Sequence, residues 1–333
     1  MKEYLTNVPV KINIWIRPKC QKLQFDVIKQ ARPNILFIVS DGGRTKEEQE
    51  IILSNRKLIE EGIDWNCEVH KIYEDNNNGI YTMERKAGKY IWNRVDRCVF
   101  LEDDQIPSVS YFRYCAELLE KYKDDTRVCM ICGMNHLDVY KDVPSDYFFS
   151  SAGSIWGCAL WKRTVEKFNF RNIHDPYYYN LLKNITKNNK IFWKQFNGYL
   201  QHSIFDGHKA GGEFWLSFIA NTENQYLIVP KYNLISNIGY EETGLHAHGL
   251  HKMPASIRKV FNLPTHELSF PLKHPSFFIP DNIYEQKVKK IMGWTFTTKI
   301  LRIFETIILR VRYFDFSFLK KYYQKIIRIE IEK

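Results

Sequence analysis

From residue 10 to about residue 135 the chain alternates between short apolar runs and longer amphipathic stretches. Val10-Lys-Ile-Asn-Ile-Trp-Ile16 reads as a strand, Gln21 to Ala31 as a helix, and Ile35-Leu-Phe-Ile-Val39 as a buried strand that ends at Ser40-Asp41-Gly42-Gly43-Arg44. Thr45 is placed to cap the next helix, with Glu48 three residues on as its reciprocal partner. The alternation continues with a strand from Cys67 to Ile72, a helix from Ile80 to Trp92, a strand from Cys98 to Leu101, a helix from Ser110 to Lys121 and a strand from Val128 to Cys132. Strands regularly separated by helices need crossover connections, so the pattern predicts an α/β fold with a mainly parallel, twisted sheet flanked by helices.

After residue 135 the alternation stops. Tyr147 to Trp161 is rich in aromatic and small residues, with Gly153 and Gly157 on either side of Trp156. Such a stretch suits a pocket wall, because glycine lets backbone come close to a ligand and a Trp face stacks on a sugar ring. Trp161 is expected to be packed at a helix entry. Residues 165–200 read as helical and amphipathic, Tyr226 to Val229 as a strand, and 232–252 as a polar loop. Beyond residue 285 the character changes again. Ile300, Ile303, Phe304, Ile307, Ile308 and Val311 share one helical face, and Leu319, Tyr322, Tyr323, Ile326 and Ile327 repeat the pattern.

Charge sharpens this picture. The 333-residue chain carries a formal net charge of +10, and from Lys287 onward twelve Lys and Arg stand against four acids, a net +8. Basic amphipathic helices with aromatics suit either an anionic membrane surface or packing on the protein's own core. The positive charge does not form a groove of interleaved bases and aromatics, which argues against nucleic acid. With 44% apolar and 26% charged residues the composition is globular, not disordered. Seven scattered cysteines suit free thiols in a reducing compartment, and the Cys129-Met-Ile-Cys132 pair lies inside an apolar run and reads as strand core. The start of the chain lacks a signal peptide's apolar segment, and no apolar run is long enough to span a bilayer. A cytoplasmic location is expected, peripheral at the inner face of the plasma membrane if the tail binds lipid.

The candidate chemistry centres on Glu102-Asp103-Asp104, three consecutive acids at the end of an apolar run and just before Gln105-Ile106-Pro107. Adjacent carboxylates repel one another and are costly to desolvate, so such a cluster at a strand's end points to a cation. In open α/β sheets the crevice beyond the carboxyl ends of the strands is where ligands bind. A solvated acidic turn is the plain alternative. No GxGxxG follows the first strand and no GxxxxGK[ST] occurs, so phosphate must be held in another way, for example by Mg²⁺ or Mn²⁺ bridging carboxylate and phosphate. His246-Ala-His248-Gly-Leu-His251 has zinc-like spacing but lacks nearby cysteines or acids in the expected pattern.

Taken in order, several segments resemble those of GT-A-type nucleotide-sugar glycosyltransferases, in the bacterial family-2-like group similar to the N-acetylglucosaminyltransferase that initiates complex N-glycans. They are Ile16-Arg17-Pro18, Phe37 to Arg44, Ile63 to Cys67, Asn78-Gly79, Phe100 to Pro107, Ile155 to Trp161 and Asn233 to Gly239, and they cover residues 10 to 250. The resemblance implies a Rossmann-like GT-A domain with a nucleotide-sugar-binding half over 1–135, an acceptor and catalytic half over 136–285, and a basic amphipathic extension over 286–333. It implies that Arg17 and Asp41 hold the uridine, that Asp103 lies near the ribose and Glu102 near the donor sugar, and that Arg44, Trp156 and Gly157 join the donor site. Asp104 would ligate Mn²⁺ or Mg²⁺, with His246 as a phosphate or metal contact. Glu213, in Gly211-Gly212-Glu213-Phe214-Trp215, matches the family's W-D-x-x-W-like motif imperfectly and would be the base, with Asp206 in reserve. The implied activity is an inverting, metal-dependent transfer from a UDP-sugar to a hydroxyl of a saccharide or lipid-linked acceptor in cell-surface glycan assembly. A metal-dependent nucleotidyltransferase and a noncatalytic membrane-adaptor or carbohydrate-binding protein are the alternatives.

Overall fold

A computed structural model describes residues 1–167, 175–185, 212–240, 253–293 and 295–313. An eight-stranded sheet runs through the described residues. Its strands are β1 (Thr6–Ile14), β2 (Pro33–Ser40), β3 (Glu68–Tyr73), β4 (Arg97–Leu101), β6 (Val128–Cys132), β7 (Tyr147–Ser150), β8 (Cys158–Trp161) and β9 (Tyr226–Pro230), in the spatial order β3-β2-β1-β4-β8-β6-β9-β7. The first four are parallel to one another, as is the β6–β9 pair, whereas β8 runs antiparallel to both β4 and β6 and β7 antiparallel to β9. A separate antiparallel ribbon pairs β5 (Gln105–Pro107) with β10 (Ile235–Asn237). This is a Rossmann-like α/β architecture.

Helices cover both faces, and the period-2 alternation of the strands sorts side chains between them. Val10 and Ile12, Leu36 and Ile38, and Val99 and Leu101 pack beneath α1 (Pro18–Ala31), α2 (Lys46–Gly62) and α4 (Ser110–Lys121) through Phe25, Ile28, Ile52, Ile59 and Leu118. The opposite residues Phe37, Val39 and Cys98 meet Met83, Ala87 and Ile91 of α3 (Ile80–Trp92). Farther along that face Met130, Leu160 and Val229 meet Leu216 and Ile219 of the helix α7 (Gly212–Thr222) and Tyr284 and Val288 of α9 (Asn282–Ile291). Shorter helical segments are α5 (Lys162–Val165), α6 (Pro176–Ile185) and α8 (Ala255–Arg258), and α10 (Phe296–Arg312) follows α9. Among the described residues no helix is long and apolar enough to cross a membrane.

The expected strand and helix alternation up to residue 132 is present, with shifted ends. β1 stops at Ile14 and not Ile16, and α1 begins at Pro18, which fits the first helical turn because its missing N–H has no partner there anyway. Thr45 does cap α2 through the Glu48 N–H at 3.3 Å, but the Glu48 carboxylate accepts from the Arg44 N–H at 2.8 Å in place of Thr45. The largest departure is at 147–161, expected as pocket wall. Its two ends are core strands, β7 and β8, buried along their whole length. Trp161 is packed as expected, donating from Nε1 to the Leu119 carbonyl at 3.0 Å. Cys129 and Cys132 are buried within β6, and all seven cysteines are free thiols.

Candidate functional site

β2, β1 and β4 lie side by side and parallel, so their carboxyl ends bring three loops together. β1 delivers Trp15-Ile16-Arg17, β2 delivers Asp41 to Arg44, and β4 delivers Glu102-Asp103-Asp104. The acid loop is short. Gln105 already begins β5, whose partner β10 lays Asn237 opposite Gln105.

The structure joins Arg17 to the acids directly. Its Nη1 donates to Asp104 Oδ2 at 2.8 Å and to Asp103 Oδ1 at 3.2 Å, with all three side chains only 13 to 14% exposed. One guanidinium thus faces two carboxylates, with a third next door. Burial pushes Glu102 up to about 7, reinforced by Asp104 and opposed by Lys11. Burial likewise pushes Asp103 up to about 6 against the pull of Arg17, and Asp104 rises for the same reason. For Arg17, burial works against the charge, but Asp103 and Asp104 outweigh it and hold its pKa above the ordinary value. The raised carboxyl pKa values express burial first, and the crowding of three acids beside one guanidinium adds to it for Glu102 and Asp103.

Buried amides hold this loop in shape. Gln24 Nε2 from α1 donates to the carbonyls of Glu102 at 2.5 Å and Gln105 at 2.7 Å. Gln105 Oε1 accepts from the backbone N–H of Glu102 at 3.1 Å and of Gly157 at 2.8 Å, and its Nε2 donates to Glu102 Oε2 at 3.3 Å. Beneath Glu102, Lys11 Nζ and Asn13 Nδ2 both donate to Glu84 Oε1, at 2.6 and 3.1 Å. These supports were not singled out from the sequence. Lys11 and Asn13 carried a signal, as polar positions alternating through an otherwise apolar strand, whereas Gln24 and Gln105 carried none.

β10 closes the acids from the other side. Ile238 donates its N–H to the Asp104 carbonyl at 3.0 Å and Asn237 Nδ2 donates to Asp104 Oδ1 at 3.3 Å. Gly239 lies so close that a Cβ there would sit 1.9 Å from Asp104 Oδ2, so only glycine fits without moving that carboxylate. Gly157 has φ +58 and a Cβ there would meet Ile235 at 2.3 Å, so its glycine serves the turn and the packing on β10. Trp156 is partly buried with its ring 5.0 Å from that of Phe261.

Asp41 is buried and organises a loop. Its carboxylate accepts from the backbone N–H of Gly42 at 3.0 Å, Asn78 at 2.9 Å and Gly79 at 2.8 Å, tying the start of α3 to the end of β2. Arg44 spans back to Glu48 and lies 5.5 Å over the Trp15 ring, which places it beside the β1 loop. Arg56, buried, clamps the same edge by donating to the carbonyls of Ser40 and Glu74 at 3.2 and 2.8 Å. Glu213 is the second residue of α7, in its first turn. His246 and Asp206 lie outside the described residues.

Among the described residues no three His, Cys, Asp or Glu side chains are arranged to enclose a metal ion. The donors at hand are hard carboxylate oxygens with surplus negative charge. They fit Mg²⁺ or Mn²⁺ anchored by one or two carboxylates and completed by phosphate oxygens, not a closed all-protein cage.

No protein-family model matches the chain, and no curated protein sequence matches it either. Among solved structures it is similar to a UDP-glucose pyrophosphorylase complexed with UDP-glucose, at 11% identity and TM-score 0.28 over 48% of this chain and 78% of that one. It is also similar to A197 from STIV, at 12% identity and TM-score 0.26 over 50% of this chain and 68% of that one. Likenesses of this size carry no argument about chemistry, which rests on the site itself.

Proposed function

We propose that the protein is a metal-dependent glycosyltransferase that takes its sugar from a UDP-sugar, with the acid-rich end of β4 as the donor site. The observation that supports this reading above all is the gathering of three mostly buried acids at the carboxyl end of a parallel sheet, Asp103 and Asp104 on the Arg17 guanidinium and Glu102 beside them. A site so short of positive charge suits a ligand that arrives with a divalent cation. Asp104 is the proposed anchor for Mn²⁺ or Mg²⁺, with His246 as a further contact. When bound, the ion would neutralise charge developing on the departing diphosphate.

In this reading Arg17 keeps the acids from repelling one another and fixes the nucleotide from the β1 side, while Asp103 takes the ribose and Glu102 the donor sugar. Asp41 is proposed to face the uracil while holding the Asn78-Gly79 turn that shapes the base pocket. Arg44, Trp156 and Gly157 complete the donor wall. Arg17 and Asn237 both donate to the Asp104 carboxylate and so hold it in place before the donor arrives, which is the preorganisation that transfer requires. The acceptor is a saccharide or lipid-linked saccharide hydroxyl. A carboxylate in reach of that hydroxyl would take its proton as the new bond to the anomeric carbon forms, and Glu213 is proposed for this role. One displacement of this kind inverts the anomeric centre.

A nucleotidyltransferase would use the same carboxylates and cation, so the products decide between the two. Purified protein is incubated with a panel of UDP-sugars and acceptors, and separately with UTP and sugar 1-phosphates, and phosphorus NMR follows the products. Release of UDP from a UDP-sugar supports glycosyl transfer. Pyrophosphate from UTP would instead establish the nucleotidyltransferase, and neither product under any metal would remove both enzymatic readings.

A further inference from the structure

The helix α10 is docked the wrong way round for a soluble protein. The side that turns toward the rest of the chain is polar. Glu305 Oε1 accepts from the Ala255 N–H at 2.7 Å, and Arg302 donates to the carbonyls of Met292 at 2.6 Å and Ile291 at 3.0 Å and to Ser256 Oγ at 2.9 Å. Arg302 thereby caps the last carbonyls of α9, where a cation is favoured by the helix dipole. The opposite side is apolar and open. Among the described residues, eight of the exposed large hydrophobics fall on this one helix, including Leu301 at 67%, Phe304 at 61% and Ile308 at 64% exposure, and no residue of the helix is buried.

A helix held to a protein through its polar side, with its apolar side outward, has an apolar environment still to find. Packing on the protein's own core, the competing expectation for this stripe, is not what the described residues do. The charge around it identifies the environment. Lys289 and Lys290 at the end of α9, and Lys299 and Arg312 on α10, are exposed, and the chain from Lys287 onward carries a net +8. At 17 residues the helix is about 25 Å long and too charged to cross a bilayer. It suits lying in the plane of one.

We propose that α10 is a membrane-docking helix whose apolar face enters the interfacial region of an anionic phospholipid bilayer, with the surrounding lysines and arginines on the headgroups. The polar anchoring through Arg302 and Glu305 fixes the orientation of the rest of the protein on that surface. Nothing in this inference depends on the sugar chemistry proposed above, and its readout is lipid binding alone.

The test is co-sedimentation of the full chain with vesicles of phosphatidylcholine mixed with phosphatidylglycerol, against vesicles of phosphatidylcholine alone. The wild type is expected to bind the anionic vesicles and to lose binding as salt is raised. The double variant Phe304→Ser/Ile308→Ser should lower partitioning by about tenfold or more, because two large apolar side chains no longer leave water. Its thermal unfolding in the absence of lipid should match wild type, since both side chains are exposed. The proposal is overturned by no binding of the wild type to anionic vesicles, by equal binding of the variant, or by a wild-type dimer that light scattering shows to dissociate in the variant. A lowered unfolding temperature in the variant would equally overturn it, by showing that the face is covered by this chain itself.

Discussion

Glu102→Gln in metal-free protein is the sharpest probe of the charge deficit. The Glu102 carboxyl is raised from 4.5 to about 7, first by burial and then by Asp104, so the folded protein holds its proton more tightly than the unfolded chain. The sign follows from that. Protonation favours the fold, stability is greatest below about pH 4.5, falls as pH rises toward about 7, and is level above. The full difference is worth about 3 kcal/mol, an upper figure because local relaxation and water relieve part of it. Gln keeps the shape and can still accept from Gln105 Nε2, and Lys11 keeps its partner Glu84, so nothing is orphaned. Urea unfolding in the presence of chelator should therefore find Glu102→Gln more stable than wild type by about 1 to 3 kcal/mol near pH 8 and equal to it near pH 4. Asp103, raised to about 6, leaves a smaller slope of the same sign in the variant. Adding Mn²⁺ at the higher pH should stabilise wild type more than the variant. Equal or lower stability of Glu102→Gln near pH 8, or an unchanged slope between pH 4.5 and 7, would refute the reasoning.

Other consequences are as direct. Arg17→Ala leaves Asp103 and Asp104 buried without their cation, so it should destabilise the metal-free protein by about 3 kcal/mol in urea melts and weaken UDP binding by calorimetry at least about tenfold. Gly239→Ala would push a methyl into Asp104, at a cost of about 1 to 3 kcal/mol and a larger loss of metal-dependent turnover. Gly88→Ala is the matched control, because its added carbon meets nothing closer than 3.9 Å within α3, and it should stabilise the protein by about 0.5 to 1 kcal/mol with turnover unchanged. Full turnover in Gly239→Ala would remove Asp104 from the site.

The parts of the fold that were legible in the sequence are those where short apolar runs alternate with amphipathic helices, whether one or both faces of the strand are buried. β1 to α4 and β6 are of this kind, and the ends of α3, α4 and β6 fall where the pattern places them. β7 and β8 were not legible because no helical stretch separates them, and their aromatic residues, with Gly153 and Gly157 in the loop between them, suggested a pocket wall instead. Three-residue strands such as β5 and β10 are below the length at which periodicity speaks. In the site, the three acids were visible as a charge cluster that no strand end needs, whereas Arg17 was named only through the family resemblance. What arranges them was not, since Gln24 reaches across 78 to 81 positions of sequence and Gly239 is defined by an approach to Asp104 from 135 residues away. The outward face of α10 was legible as a stripe, while its polar anchoring through Arg302 and Glu305 needed three-dimensional contacts to be seen.

Asp104 and its neighbours are proposed to hold a UDP-sugar together with a divalent cation. The measurement that bears on it most directly is the rate of UDP release from a panel of UDP-sugars by wild type and Asp104→Asn, each with Mn²⁺ and with chelator. The expected result is release by wild type that chelator abolishes and that Asp104→Asn lowers by at least about a hundredfold. Release that is indifferent to chelator, or retained in full by Asp104→Asn, would contradict it.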